Sequence, residues 1–153
     1  MFRKKRLRQL DNLITAIIVK NEDLNNLRLK YYQGYNDVIS VFLLTLDHNL
    51  AFYCCDIFSR FYLIDFLRLP FDQGLVPLFN LTAKLLEQVD LELYNFVTLD
   101  GSQPTPLFMT SWVLTLFSHS IETLEASRRV FDLILVEHPL IIVYLCVSVI
   151  VEC

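Results

Sequence analysis

One short segment of the sequence has residue types that could do chemistry, a glutamine and a glycine among three tyrosines: Tyr31, Tyr32, Gln33, Gly34 and Tyr35. A primary amide offers hydrogen-bond donors and an acceptor together, so a glutamine that is held in place can orient a water molecule. A glycine allows the positive φ that a tight turn requires. The segment is therefore either a loop that presents an amide to a partner or a surface turn without a chemical role.

The sequence lacks the residue spacing that metal binding and phosphate binding require. The histidines stand singly and the cysteines form no C-x-x-C pair, a pattern that predicts no metal site. The three glycines, Gly34, Gly74 and Gly101, are far apart in sequence, so no glycine-rich loop is available to cradle a phosphate. We therefore expect that the chain binds no metal and no nucleotide of its own.

The adjacent residues Ser118 and His119 are a nucleophile and a base by type. Consecutive side chains of a helix point about 100° apart, so neither residue can act on the other. No G-x-S-x-G motif supports acyl transfer either. We predict that these two residues are packing and capping groups.

The composition indicates which elements must position these residues. The chain has 153 residues, of which 54% are hydrophobic and 20% charged, and such a chain suits one domain with a single core. Only 3 glycines and 5 prolines interrupt it, too few for the many turns of a β-sandwich or barrel. The composition therefore predicts an all-α fold and a single domain over residues 1–153.

The charges are distributed unevenly along the chain. It carries 13 Lys and Arg against 17 Asp and Glu, for a net charge of −4, and five of the cations lie within residues 3–8. The acidic remainder predicts that nucleic acid is not a partner. The basic cluster could contact an acidic lipid or protein, but the solvated start of a helix is the simpler interpretation.

The sequence shows no obvious membrane-spanning or targeting segment. The apolar run at residues 140–151 has 12 residues, whereas a helix needs about 20 to cross a bilayer. Polar residues interrupt the stretch 7–19, so it is not the core of a signal peptide. The four cysteines are predicted to be buried thiols in a reducing compartment. We expect no transmembrane segment and a cytoplasmic location.

Apolar periodicity predicts about eight helices. The first covers about residues 5–20 and is expected to end at the polar stretch 21–26. The third covers 50–69, with Asp56 and Arg60 on an exposed edge, and ends at Pro70. The other predicted elements are helices at 35–46, 78–89, 91–97, 107–119 and 124–136, a last helix with Pro139 in its first turn, and a loop at 100–106.

Several blocks of this sequence resemble the TBC domain, the catalytic module of Rab GTPase-activating proteins. Residues 31–37 read YYQGYND and resemble the Y-x-Q-G-M-N motif of that family. Residues 110–119 read TSWVLTLFSH and resemble its S-W-x-x-T-x-F block. Residues 129–132 and 138–140 resemble the R-x-x-D helix and its successor. The second tyrosine, the tyrosine after the glycine, and the histidine after the S-W block make the sequence most similar to the TBC domain family member 20 subfamily.

The resemblance implies a domain that binds a GTP-loaded Rab GTPase and accelerates GTP hydrolysis, in the regulation of vesicle traffic. Gln33 falls on the glutamine finger, which positions the attacking water. Gly34 would let the backbone approach the partner, and Tyr32, Asn36 and Asp37 would complete the partner-binding segment, although a helix N-cap explains Asp37 equally well. GTP and Mg²⁺ would belong to the Rab partner, so the chain would need no cofactor. The subfamily further implies the cytosolic face of endoplasmic-reticulum or Golgi membranes.

The resemblance also implies an arginine finger, about forty residues before the glutamine in an I-x-x-D-x-x-R motif. Only 32 residues precede Gln33, and Arg3, Arg6 and Arg8 do not match that motif. We therefore expect a partial copy of the domain, without the arginine-finger segment and the C-terminal end. Three alternatives stay open: part of an active GTPase activator, a catalytically silent Rab-binding scaffold or non-functional fragment, and an unrelated helical interaction domain.

Overall fold

The computed structural model describes residues 2–98 and 107–152, and all regular structure in these two ranges is helical. This confirms the predicted all-α fold, while the loop predicted at 100–106 lies outside the described residues. A 3₁₀ turn at Leu107–Met109 precedes α8. The α-helices are α1 (Phe2–Asn25), α2 (Tyr35–Thr45), α3 (His48–Phe61), α4 (Ile64–Arg68), α5 (Phe71–Gly74), α6 (Val76–Val89), α7 (Leu91–Thr98), α8 (Thr110–Thr115), α9 (Leu124–Val136) and α10 (Ile141–Glu152).

Helix α2 lies at the centre of the fold and packs against α1, α3, α8 and α9. Its sequence is apolar on nearly every face, as expected for a helix with neighbours all round. Phe42 of α2 meets Phe58 of α3 and Phe131 of α9, with ring centroids 5.1 and 5.6 Å away. Because α2 begins directly after Gly34, this packing fixes the point at which the glutamine segment enters the core.

Helix α1 is longer than the sequence predicted, because its polar residue Asn21 is buried. The Nδ2 atom of Asn21 donates to the Ile17 carbonyl at 2.8 Å and to Oδ1 of Asp56 at 2.7 Å. The polar stretch 21–26 was predicted to end the helix, and that prediction is wrong. A buried amide whose hydrogen bonds are satisfied is tolerated inside a helix, so α1 continues to Asn25.

Asp56 is buried, which contradicts its predicted place on an exposed edge. Its Oδ2 atom lies 2.6 Å from Nζ of Lys20 on α1 and 3.1 Å from Nη2 of Arg60 one turn along α3. Burial raises the pKa of this carboxyl, but the hydrogen bonds from Lys20 and Asn21 and the charge of Arg60 outweigh burial and hold its pKa below the usual value. A charge hidden from water therefore joins α1 to α3.

The remaining helices differ from the predicted ones mainly at their ends. The segment 50–69 is two helices, α3 and α4, separated at residues 62–63, and its predicted end before Pro70 is confirmed, since Leu69 is extended. The prediction missed the short helix α5. Pro139 was predicted in the first turn of the last helix, but α10 begins at Ile141, after a turn in which the Ile141 amide donates to the His138 carbonyl.

Two predictions about the apolar residues can also be checked in the described residues. None of the described helices is both long and apolar enough to cross a membrane. Cys55 and Cys146 are buried, Cys54 is half-buried, and all three are free thiols. Burial raises the pKa of both buried thiols, that of Cys146 to about 12, so these two behave as core residues, as predicted.

Candidate functional site

Gln33 occupies an exposed turn that leads directly into α2. The Tyr35 amide donates to the Tyr32 carbonyl at 3.2 Å, and the Asp37 amide donates to the Gly34 carbonyl at 3.0 Å, so the backbone on both sides of the turn is hydrogen-bonded. The side chain of Gln33 makes no hydrogen bond within the described residues. The turn therefore presents an unoccupied amide on a fixed backbone.

The glycine after this glutamine is required by its backbone and by its neighbour. Gly34 has φ of +108°, which residues with a side chain rarely adopt. A Cβ atom at this position would lie 2.8 Å from Cγ2 of Thr115 on α8. The turn therefore packs directly on α8, and the predicted approach of Gly34 to a partner stays a prediction.

Two tyrosines of the segment anchor the turn from below. The hydroxyl of Tyr32 donates to the Leu114 carbonyl of α8 at 2.9 Å, and the buried hydroxyl of Tyr35 lies 2.6 Å from Oγ of Ser59 on α3. Burial is the main cause that raises the pKa of both phenols far above its usual value, so both stay protonated and can donate. The turn is therefore tied to two different helices.

Most residues that face the turn come from the segment resembling the S-W block, and two lie just before it. They form an open groove, here called the amide groove. One wall consists of Gln33, Gly34, Asn36 and Asp37, and the other of Leu107, Phe108, Thr110, Ser111, Leu114, Thr115 and His119. The described lining contains no arginine. A groove of this kind, with amide and carboxylate groups on one side and exposed apolar groups on the other, can accept a protein surface.

The second wall departs from the predicted helix at 107–119, because α8 ends at Thr115. Leu116 and Phe117 follow with φ of +50° and +65°, a left-handed conformation in two successive residues that are not glycine. Both side chains are buried, and Phe117 stacks on Trp112 with ring centroids 5.5 Å apart. Left-handed backbone costs roughly 1–2 kcal/mol per residue, and burial of two large apolar side chains outweighs that cost.

The left-handed pair brings His119 to the groove. Its Nδ1 atom lies 3.0 Å from Oδ2 of Asp37 on the opposite wall. Its backbone amide donates to Oγ1 of Thr115 at 3.3 Å. The ring is mostly exposed, so the prediction of a packing or capping role is wrong for His119, whereas Ser118 does bond locally, to the Thr115 carbonyl at 2.6 Å.

The structure brings together most of the predicted site residues. Gln33, Gly34, Asn36 and Asp37 line the amide groove, and Tyr32 lies beneath it as an anchor. Asp37 does not cap α2, because Gly34 occupies the N-cap position and no side chain bonds there. Sequence reasoning missed the parts played by Thr115 and His119. Only the S-W resemblance pointed to that segment, and periodicity alone placed it in an ordinary helix.

The described residues offer no alternative metal-dependent site. No group of three or more His, Cys, Asp or Glu side chains in the ranges 2–98 and 107–152 could hold a metal ion. The arrangement that remains is an exposed amide on a rigid turn at the edge of an all-α domain. An amide in this position is accessible to a group outside the chain.

The particular family follows from comparison with known proteins. A model of the Rab-GTPase-TBC domain matches residues 2–153, and this chain belongs to that family. It is 30% identical over 136 residues to TBC1 domain family member 20 of Bos taurus, covering 89% of this chain and 32% of that protein. This confirms the resemblance inferred from the sequence blocks.

The chain is also similar to two yeast proteins. GTPase-activating protein gyp10 of Schizosaccharomyces pombe is 29% identical over 149 residues, covering 97% of this chain and 38% of that protein. GTPase-activating protein GYP8 of Saccharomyces cerevisiae is 28% identical over 145 residues, covering 80% of this chain and 28% of that protein. The chain therefore spans about a third of the length of the curated relatives it matches.

Proposed function

We propose that this chain is the glutamine-bearing part of a domain that binds GTP-loaded Rab GTPases and accelerates their GTP hydrolysis, with Gln33 as the trans-acting glutamine. The observation that carries the proposal is the exposed, unbonded amide of Gln33 on a turn fixed by Gly34 and by the bond from Tyr32 to the Leu114 carbonyl. Because the backbone of the turn is fixed, only the side-chain rotations of Gln33 are lost when its amide enters a transition state. A glutamine on a mobile loop would lose backbone freedom as well.

In this mechanism the chain contributes mainly the position of the Gln33 amide. In phosphoryl transfer to water, a glutamine amide accepts from the attacking water and donates to the transferring phosphate, and so aligns the nucleophile. GTP and Mg²⁺ stay on the GTPase, which supplies the phosphate contacts. Gly34, Asn36 and Asp37 line the groove beside the amide and supply the surface against which the GTPase docks.

The test is single-turnover GTP hydrolysis with a panel of GTP-loaded Rab proteins. Because an amide at the wrong position can cost about 100-fold in rate, Gln33→Ala is expected to lower the stimulated rate by about that factor. Gln88→Ala, which removes an exposed amide from α6, is the matched control and should leave the rate unchanged. Both substitutions are made in the chimera described next, and equal rates for the two variants there would contradict the role of Gln33.

A second arm supplies the rest of the domain. Residues 1–153 replace the matched region of TBC1 domain family member 20 in a chimera, and the chimera is assayed beside the chain itself. An arginine finger contributes about 10³–10⁵ in rate, so we expect the chimera to be far more active than the chain. If the chimera binds GTP-loaded Rab without acceleration, the chain has the docking function alone.

That second function, silent binding of Rab, has one observation in its favour. The described lining of the amide groove contains no arginine, so the described part of the groove supplies only one of the two side chains that the family mechanism uses. GTP-dependent binding without stimulation is its signature. We propose further that the whole protein acts in vesicle traffic at the cytosolic face of endoplasmic-reticulum or Golgi membranes, which fluorescence microscopy of the tagged protein would test.

A further inference from the structure

One side-chain contact joins the two walls of the amide groove at its rim. Nδ1 of His119 lies 3.0 Å from Oδ2 of Asp37, and the two residues are 82 positions apart in sequence. Within the described residues, one other hydrogen bond joins the segment of the turn to the second wall, from the Tyr32 hydroxyl beneath the groove to the Leu114 carbonyl. The turn that carries Gln33 is thus anchored below by one bond and bounded at the rim by the other.

The rim contact continues around the turn as a chain of four side chains. Oδ1 of Asp37 accepts from Nδ2 of Asn36 at 3.0 Å. Oδ1 of Asn36 in turn accepts from the hydroxyl of Tyr31 at 2.9 Å. Tyr31 and Asn36 flank Gln33 in sequence, one on each side, so this series of hydrogen-bonded side chains encloses the turn. Asp37 uses both carboxylate oxygens, one for each neighbour.

The chemistry of the pair fixes its hydrogen bonding. A carboxylate can only accept, so Nδ1 of His119 must carry the proton that it donates to Asp37. The backbone amide of His119 is held in turn by Oγ1 of Thr115, the residue on which Gly34 packs. The backbone of His119 is therefore tied to the second wall and its ring contacts Asp37 of the first, so the residue links the two walls.

We propose that Asp37 and His119 are positioning residues that hold the Gln33 turn at the distance from α8 at which its amide acts. This rests on the proposed function, because the amide is the group that is positioned. The side chain of His119 is 68% exposed, and exposed ion pairs contribute little to global stability. A merely structural surface contact would therefore leave both the turn and the reaction unchanged when it is removed.

The kinetic test uses the chimera described above with His119→Ala, Asp37→Ala and the double variant. Loss of one charge-assisted hydrogen bond corresponds to about tenfold, so we expect the maximal stimulated rate to fall about tenfold in each single variant. The concentration that gives half-maximal stimulation should change less than about threefold in His119→Ala, which keeps Asp37 on the docking surface. The double variant should be no slower than either single one, because both remove the same contact.

The matched control is His119→Asn. The amide nitrogen of asparagine occupies nearly the position of Nδ1 and can donate to Asp37, so this variant should keep the stimulated rate within about threefold of the parent. Equal losses in His119→Ala and His119→Asn would overturn the proposal, because the donor at Nδ1 would then have no part in the effect.

A second readout separates this proposal from the proposed function. Amide hydrogen exchange is measured in the chain without any GTPase, and His119→Ala should raise exchange at Asp37 and Val38, which donate to the Gly34 carbonyl, by about tenfold. Amides of α10 serve as the internal reference. Unchanged exchange overturns the positioning pair whatever the activity. If His119→Ala raises exchange but the chimera stimulates no Rab protein, the result supports the positioning pair and contradicts the proposed function.

Discussion

The two walls of the amide groove hold the same unusual backbone conformation by different means. Gly34, on the wall that carries the glutamine, has φ of +108° without a side chain to oppose it. Leu116 and Phe117, which lie between Thr115 and His119 of the facing wall, have φ of +50° and +65° and keep this conformation because their side chains are buried. The first wall therefore depends on the absence of a Cβ atom, and the second on the core beneath it.

The comparison is tested most strongly by adding a side chain to the first wall. Gly34→Ala places a Cβ atom 2.8 Å from Cγ2 of Thr115 at a left-handed φ. Strain and overpacking together should lower the free energy of unfolding by about 4 kcal/mol. Thermal or urea unfolding measures the loss.

The matched variant Gly34→Ala with Thr115→Ser separates the two costs. Serine lacks the methyl group but keeps the Oγ atom that bonds the Ser111 carbonyl and the His119 amide. About half of the lost stability should return, since the steric part is relieved and the backbone strain stays. No recovery would show that the contact with Thr115 is unimportant.

A buried carboxylate outside both walls provides a reference. Asp56→Asn leaves Lys20 and Arg60 facing a neutral group, and we expect a loss of about 3 kcal/mol at neutral pH, with unchanged hydrogen exchange at the Gln33 turn. The pKa of Asp56 is lowered in the folded protein, so its contribution is complete above the unfolded pKa, about 4, and disappears as the pH falls through the folded pKa.

The difference between parent and Asp56→Asn should therefore shrink below pH about 4. Denaturant unfolding at several pH values measures it. A difference that stays constant from neutral pH to pH about 3 would show that the ion pairs of Asp56 do not stabilise the fold.

The left-handed backbone behind the second wall is tested by comparing the stabilities of two variants at one position. Phe117→Ala and Phe117→Gly both remove the buried ring, but only glycine relieves the left-handed backbone. Phe117→Gly should therefore be more stable than Phe117→Ala by about 1 kcal/mol. In a regular helix the order is reversed, so the same two substitutions at Phe58 of α3 are the control. The same order at both positions would contradict strain at Phe117.

The smallest expected effect concerns the anchor between the walls. Tyr32→Phe removes the hydroxyl that donates to the Leu114 carbonyl, at a net cost of about 1 kcal/mol. The Tyr35 amide donates to the Tyr32 carbonyl. Its hydrogen-exchange rate should rise by the factor that corresponds to this free energy. An unchanged rate of exchange would indicate that packing alone holds the first wall.

The sequence by itself determined the features that depend on neighbouring residues. Apolar periodicity predicted the central helix α2 and the limits of α9, because a buried stripe repeats every 3.6 residues. The glycine next to Gln33 indicated a tight turn, because only local backbone freedom is involved. The motif resemblance identified the family, which the comparison confirms. The roles of Gln33, Tyr32, Asn36 and Asp37 toward a partner stay predictions.

Tertiary structure alone decided the features that join distant residues. The burial of Asn21 and Asp56 follows from the approach of α1 to α3, and the left-handed turn after α8 follows from the burial of Leu116 and Phe117. The contact of Asp37 with His119 spans 82 residues. A periodic pattern records which face of a helix is apolar, but not which helix will cover it. For that reason the first wall could be predicted and the second could not.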